Sequence, residues 1–103
     1  MIKKQNKHFS SLKFDLKNTA KRYKLEAALE KFQVLKGWEE VVVGFFQDAE
    51  GKTKAVDFKN GTLTVACLSR ELAYEIRLLT HRLITALNDL LGRFAVRALY
   101  VQS

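Results

Sequence analysis

The chain has 103 residues, 48% of them hydrophobic and 11% aromatic, which fits a single domain with one modest core. No run approaches the roughly 20 apolar residues that span a bilayer, and the single cysteine, Cys67, excludes an internal disulfide framework. The formal net charge of +7 lies entirely in residues 1–36, where ten Lys and Arg accompany three acids. A basic surface of this kind is typical of proteins that bind polyanions, and the alternative is a solvated helix face that confers solubility.

The N-terminal residues indicate a basic arm rather than a targeting segment. Residues 1–8 are polar and lysine-rich, which predicts a flexible arm, and residues 9–103 are predicted to form one domain. No apolar run or small-residue cleavage site follows residues 1–7, so no signal peptide is expected. Cys67 falls in a strand pattern, which predicts a buried, inert thiol, and together these features indicate a reduced, cytoplasmic setting.

Two N-terminal helices are predicted next. Ser10 or Ser11 can cap the first helix, and its apolar residues from Leu12 to Tyr23 share one face. A lysine stripe runs beside that face and consists of Lys13, Lys17, Lys21 and Lys24. A break or bend near Tyr23 and Lys24 is a plausible boundary between the first helix and the second, although nothing in the sequence forces one.

The second helix is predicted from an apolar set at helical spacing between Leu25 and Leu35. Gly37 weakens this helix and Gly44 can end it, while a short strand over residues 41–46 is the alternative because Val and Phe dominate that run. Trp38 is expected to lie in the core, and stacking on a base or a partner protein is its alternative role.

A β-hairpin follows, with strands over residues 53–58 and 62–67. Asn60 and Gly61 lie between the strands, and this pair strongly favours a two-residue type I′ turn. Within the second strand, Leu63, Val65 and Cys67 alternate with small or polar residues, which directs one face to the core.

One long helix over residues 70–91 and a closing strand over residues 94–101 complete the predicted elements. Ser69 is the expected N-cap of this helix, and Gly92 is the expected residue that ends it. The chain is therefore predicted to be an α+β domain with a three-stranded sheet.

The last helix carries a second candidate binding surface. Arg70, Tyr74, Arg77 and His81 follow at spacings that place them on one stripe. An aromatic side chain between two arginines suits binding of single-stranded nucleic acid, although an ordinary amphipathic tyrosine fits equally well.

The sequence contains no motif that indicates catalysis. It lacks a P-loop, a dinucleotide-binding Gly-x-Gly-x-x-Gly and a Gly-x-Ser-x-Gly elbow. His8, His81 and Cys67 lack the spacing of zinc ligands, and the adjacent Glu39 and Glu40 point in different directions on a helix. No enzymatic activity, metal or cofactor is therefore predicted.

An ordered set of short motifs resembles the DciA-like family of bacterial proteins over about residues 12–101. The matching segments are Trp38-Glu39-Glu40 with Val43-Gly44, the hairpin from Asn60 to Val65, Ser69 with Ala73 and Ile76 to Leu79, Leu87-Asn88 with Leu91-Gly92, and the closing residues Val96 to Val101. The chain departs from the family pattern at Leu72, where many members carry a second tryptophan.

The resemblance implies a fold like a type II K-homology (KH) domain, with helices on one face of a three-stranded sheet. The Gly-x-x-Gly clamp of true KH domains is absent here, so phosphate contacts would come from lysine and arginine side chains. The family's implied role is to help place the replicative helicase on DNA, without an ATPase of its own.

The leading functional hypothesis is a non-enzymatic DNA-binding domain similar to DciA-type helicase loaders. Single-stranded or duplex DNA and the replicative helicase are the expected partners, without a membrane or a small-molecule substrate. Alternatives are an RNA-binding or ribosome-associated module and a basic protein–protein adaptor. The candidate contact residues are Lys13, Lys17, Lys21, Arg22 and Lys24 in the N-terminal third, and Arg70, Tyr74 and Arg77 on the last helix.

Overall fold

A computed structural model describes residues 6–103, and it describes side chains from residue 20 onward. In chain order, the elements are α1 (Asn6–Phe45), a 3₁₀ turn (Gln47–Ala49), β1 (Thr53–Lys59), β2 (Thr62–Cys67), α2 (Arg70–Leu78), α3 (Thr80–Leu91) and β3 (Ala98–Gln102). The described part is an α+β structure with a three-stranded sheet, as predicted, and the sheet is mixed.

The chain divides into two units, Met1–Glu30 and Lys31–Ser103. The buried core side chains of the described residues belong to the second unit, from Val34 to Val101. The predicted arm over residues 1–8 and the single domain over residues 9–103 stay predictions, and residues 1–5 lie outside the described part.

One continuous helix, α1, replaces the two N-terminal helices that the sequence predicted. A break near Tyr23 is wrong, and so is the strand alternative over residues 41–46, because α1 runs without interruption to Phe45. Trp38, Val41 and Val42 are buried in the core, and this burial outweighs the strand preference of the valine run. Gly44 does not end the helix, and the extended backbone begins at Phe46 instead.

Trp38 lies in the core, as predicted. Its side chain is fully buried, and its indole Nε1 donates a hydrogen bond to Thr53 Oγ1 at 3.2 Å. The ring therefore joins α1 to β1 while its one polar atom keeps a partner. Stacking of Trp38 on a base is excluded by this burial.

The hairpin and its turn are confirmed. β1 and β2 pair antiparallel, and the turn residues Asn60 and Gly61 have φ of 53° and 79°, as a type I′ turn requires. The register shifts between Ala55 and Asp57, which leaves Val56 as an extra residue in β1. β2 is the central strand and pairs in parallel with β3, so the sheet order is β1-β2-β3.

The core forms on one face of this sheet. Leu63, Val65 and Cys67 of β2 are buried, while the residues between them are half-buried. Helical side chains complete the cluster, and the fully buried ones include Ile76, Leu83 and Leu87. The predicted inward face of β2 is therefore confirmed.

The predicted long helix over residues 70–91 is two helices, because α2 ends at Leu78 and α3 begins at Thr80. The Thr80 hydroxyl donates to the Arg77 carbonyl at 2.9 Å, and the Leu79 amide donates to the Arg77 and Ile76 carbonyls, so the last carbonyls of α2 have partners. The cap predictions hold: the Leu72 amide donates to Ser69 Oγ at 3.1 Å, and Gly92 ends α3 with φ of 76°.

The closing strand is shorter than predicted. β3 covers Ala98–Gln102, and the chain between α3 and β3 forms a loop instead of the start of the strand predicted from residue 94. Val96 and Val101 are buried on either side of the point where β3 begins.

Candidate nucleic-acid interface

The first candidate surface is the basic part of α1. The side chains of Lys21, Arg22 and Lys24 are exposed, whereas the side chains of Lys13 and Lys17 lie outside the described residues. Arg22 Nε lies 3.7 Å from Glu26 Oε1 one turn later, and an exposed pair of this kind contributes little to stability. This segment therefore presents cationic side chains to solvent.

The second candidate surface is on α2. Arg70, Tyr74 and Arg77 are exposed and follow at helical spacing, so the structure brings these three predicted residues together on one helix. Arg77 Nη2 also donates to the Val101 carbonyl at 2.9 Å and so joins α2 to β3. The exposed Glu71 and Glu75 are on the same short helix and offset the charge of the two arginines.

His81 does not extend the α2 stripe, contrary to the prediction from its spacing. The helix ends at Leu78, and His81 lies in the first turn of α3. There it lines a groove of 660 Å³ together with Ile84, Asn88 and the loop that follows α3. We call this the Phe94 groove; its charged and aromatic lining residues are His81, Asp89, Arg93, Phe94 and Arg97.

Sequence reasoning missed the Phe94 groove because its loop was assigned to the closing strand. Phe94 has 75% of its surface exposed, although it is a large apolar residue. Arg97 Nη2 donates to the Asn60 carbonyl at 3.0 Å, which places this guanidinium against the hairpin turn. The available signal was the basic and aromatic run Arg93-Phe94 directly after Gly92, with Arg97 close behind.

Asn88 fixes the loop of this groove. Its side-chain Oδ1 accepts hydrogen bonds from the Ala95 and Val96 amides at 3.0 and 2.8 Å, and its Nδ2 donates to the Val96 carbonyl at 2.9 Å. Asn88 is itself buried, so these bonds satisfy a polar side chain that would otherwise destabilise the fold. The backbone that directly follows Phe94 is therefore held in place.

One known protein family matches most of the chain. The family model described as "Dna[CI] antecedent, DciA" matches residues 11–101. The chain belongs to the DciA family. This confirms the resemblance inferred from the sequence motifs, and no curated protein matches the chain.

Membership in the DciA family implies a role related to helicase loading in DNA replication. The family is one of helicase-loading adaptors rather than of catalytic enzymes. Within the described part of the chain, no helix is both long and apolar enough to cross a membrane.

A second groove of this DciA-family chain, of 820 Å³, lies beside α1 and β1. Its charged lining residues are Lys36, Glu39, Glu40, Glu50 and Lys54. Glu39 and Glu40 are both exposed, as expected for solvated helix positions. Among residues 20–103, no group of three or more His, Cys, Asp or Glu side chains could hold a metal ion.

Two side chains of the second unit have shifted pKa values. Burial raises the pKa of the Cys67 thiol, with the charge of Arg77 opposing the shift, so the reactive thiolate is disfavoured. Lys31 Nζ lies 2.9 Å from Asp57 Oδ1, and this hydrogen bond lowers the pKa of the Asp57 carboxyl. The predicted burial of Cys67 is confirmed, while its inertness stays a prediction.

Proposed function

We propose that this DciA-family chain assists the loading of the replicative helicase as a non-enzymatic domain that binds DNA through the basic part of α1. The observation that carries the proposal is the exposed cluster of Lys21, Arg22 and Lys24 on a helix of a helicase-loading family. In sequence, Lys13 and Lys17 extend the same stripe by two further turns. These cations supply phosphate contacts, which carry no sequence information.

Binding of this kind depends strongly on salt. Each phosphate that a lysine or arginine neutralises releases condensed counterions, so affinity falls as the salt concentration rises. For single-stranded DNA, the slope of log affinity against log salt is about −0.7 per contact. Five contacts from the α1 cations would therefore give a slope of roughly −3.5.

The α2 residues supply a weaker contact in this proposal. Tyr74 offers an exposed ring beside Arg70 and Arg77. Arg77 uses one donor on Val101, and a guanidinium has five N–H donors, so further donors can reach a phosphate. The acids Glu71 and Glu75 reduce the attraction for a polyanion at this helix.

The proposal includes a KH-like arrangement of the second unit. Helical side chains cover one face of the three-stranded sheet, which supports that arrangement. The chain has no Gly-x-x-Gly segment, so in this proposal side chains rather than a backbone clamp hold the phosphates.

An adaptor that contacts the helicase directly is the second candidate function. Apolar side chains of α1 are exposed rather than buried, which favours a protein partner. These side chains are Tyr23, Leu25, Leu29 and Phe32. In this version of the proposal, the apolar side chains bind the helicase while the cations bind DNA.

Fluorescence anisotropy with labelled single-stranded DNA, duplex DNA and RNA tests the proposal across a salt series. The double variant Lys21→Glu/Lys24→Glu is expected to weaken binding and to reduce the single-strand salt slope by about 1.4. Lys52→Glu/Lys54→Glu is the matched control, because it makes the same charge change at two exposed lysines near and within β1.

Three results would overturn parts of the proposal. Affinity that does not change with salt would exclude phosphate contacts as its source. Preference for structured RNA over DNA would favour the RNA-binding alternative. Equal losses in both double variants would indicate that net charge matters rather than the α1 cations.

A further inference from the structure

The Phe94 groove combines an exposed aromatic ring with fixed cationic side chains. Phe94 is 75% exposed, and the backbone on both sides of it is bonded. The Arg93 amide also donates to the Asn88 main-chain carbonyl at 3.2 Å, next to the left-handed Gly92. The ring is therefore presented by an ordered loop.

Arg97 is positioned by the hairpin turn. Its Nη2 donates to the Asn60 carbonyl, and a Cβ on Gly61 would lie 2.5 Å from Arg97 Nε. Gly61 thus serves the positive φ of the turn and also leaves the space that the guanidinium occupies. The Arg97 amide donates to the Gly61 carbonyl at 2.8 Å, so main chain and side chain both fix this arginine.

The charges of the groove favour an anion next to the ring. Arg93 and Arg97 line it together with His81, and Asp89 is the acid among its lining residues. An aromatic face beside guanidinium groups suits a nucleotide, because the ring can stack on a base while the guanidinium contacts a phosphate. The carboxylate of Asp89 can accept hydrogen bonds from a base edge, although it repels a phosphate at close range.

We propose that the Phe94 groove binds one unpaired nucleotide of a single-stranded nucleic acid, with its base on Phe94 and its phosphate beside Arg97. This inference rests on the proposed nucleic-acid binding but uses residues separate from the α1 cations. A base inside a duplex is stacked on its neighbours and cannot cover the ring. The groove therefore gives the protein a preference for single strands that phosphate contacts alone do not provide.

Phe94→Leu tests the stacking, since it keeps an apolar side chain and removes the aromatic face. Loss of one base–aromatic stack is expected to weaken binding of oligo-dT by roughly 5- to 150-fold and to leave duplex affinity unchanged. Phe94→Tyr should retain single-strand binding. Phe45→Leu is the matched control, because it makes the same change at another exposed phenylalanine that belongs to neither proposed surface.

An oligo-U arm separates DNA from RNA as the source of the nucleotide. Equal losses for Phe94→Leu on oligo-dT and oligo-U indicate a site for any unpaired nucleotide. A loss on one alone shows that the groove discriminates between the two probes, and an oligo-dU probe then separates the effect of the sugar from that of the thymine methyl group. Unchanged single-strand affinity in Phe94→Leu, or an equal loss on duplex DNA, would overturn the inference. Urea unfolding of Phe94→Leu should show an unchanged midpoint, so that a binding loss is not a folding defect.

The same titrations separate this inference from the proposed function. If Lys21→Glu/Lys24→Glu loses affinity while Phe94→Leu does not, the α1 surface stands and the groove does not bind a nucleotide. If Phe94→Leu loses single-strand affinity while the lysine variant does not, the groove stands and the α1 proposal is wrong. If the wild-type chain binds none of the probes at low salt, both proposals are wrong.

Discussion

Two stretches of α1 have the same helical periodicity but different environments. In the exposed stretch, residues 20–29, every side chain is solvent-exposed, and Leu25 and Leu29 retain 70% and 56% of their surface. In the core-facing stretch, residues 34–42, Val34, Trp38, Val41 and Val42 are buried. An apolar stripe thus specifies a helix face, but only a second packed surface makes that face a core.

The two stretches also differ in net charge. The exposed stretch carries Lys21, Arg22 and Lys24 with one acid, Glu26. The core-facing stretch carries Glu39 and Glu40 with one base, Lys36. The difference indicates that the core-facing stretch stabilises the domain, whereas the exposed stretch is available to partners.

The largest difference between the stretches is expected in stability. Trp38→Ala should lower the free energy of unfolding by about 3–5 kcal/mol, because it leaves a cavity and removes a buried ring. Leu29→Ala should change it by about 0.5 kcal/mol or less, because that side chain is already in solvent. Urea unfolding followed by circular dichroism measures both, and comparable losses would contradict the distinction.

Substitutions in the exposed stretch of α1 should instead have their main effect on the binding of a partner protein. We expect Leu25→Ser/Leu29→Ser to weaken binding to the replicative helicase by roughly tenfold or more, since burial of one leucine side chain contributes about 1.5–3 kcal/mol. Val56→Ser is the control, because Val56 is a comparably exposed apolar residue outside α1. Surface plasmon resonance with immobilised helicase is the measurement, and equal affinities of all three proteins would exclude the α1 adaptor surface.

The two glycines of α1 provide a smaller, matched test. Gly44→Ala should stabilise the protein by up to about 1 kcal/mol, because alanine is the better helix former and a Cβ there meets nothing within 4 Å. At Gly37 the added Cβ would lie 3.0 Å from Leu87 Cδ1, so crowding against α3 should cancel or reverse that gain. Thermal unfolding of the two variants decides this, and an equal rise in Tm would show that the approach of α1 to α3 is not tight.

The smallest expected effect concerns the ion pair between Lys31 and Asp57, which joins α1 to β1. Because the pKa of Asp57 is lowered in the folded protein, the pair stabilises the fold above the unfolded-state pKa, which is about 3.9 for aspartate. That stability is lost as the pH falls through the lower, folded-state value. Asp57→Asn should therefore be slightly less stable than wild type at neutral pH, and the gap should close in acid. If urea titrations show that the stability difference between Asp57→Asn and wild type persists at low pH, the difference comes from packing rather than from the carboxylate charge.

The hairpin turn and the helix ends are the part of the fold that the sequence predicts best. The Asn60-Gly61 turn, the Ser69 cap and the Gly92 end are all confirmed. Each depends on the conformational preference of one or two residues or on a hydrogen bond over three residues, so the surrounding fold is not needed to infer them.

Element boundaries that depend on packing were predicted wrongly. The apolar stripe from Leu72 to Leu87 continues at helical spacing through Leu79, so nothing apolar marks the break between α2 and α3. At residues 41–46, strand preference and helical burial favour opposite structures, and burial of Val41 and Val42 decides for the helix.

The candidate binding surfaces also include one part that the local sequence predicts and one part that depends on packing. Exposure of Lys21, Arg22 and Lys24 agrees with the lysine stripe that the sequence displays, although the apolar side chains beside it are exposed as well. The Phe94 groove requires Asn88 to bind a loop eight residues further on and Arg97 to reach the Asn60 turn. Both contacts join segments that come together only in the folded chain, so no local pattern predicts them.

The parallel pairing of β2 with β3 has a kinetic consequence. The hairpin partners of β2 are close in sequence, but Thr62 pairs with Ala98 only after α2 and α3 have closed the intervening loop. Contacts between distant segments form slowly because the loop entropy must be overcome first. We therefore expect the hairpin to form early and β3 to join it late, so that Val101→Ala accelerates unfolding more than it slows folding in stopped-flow experiments.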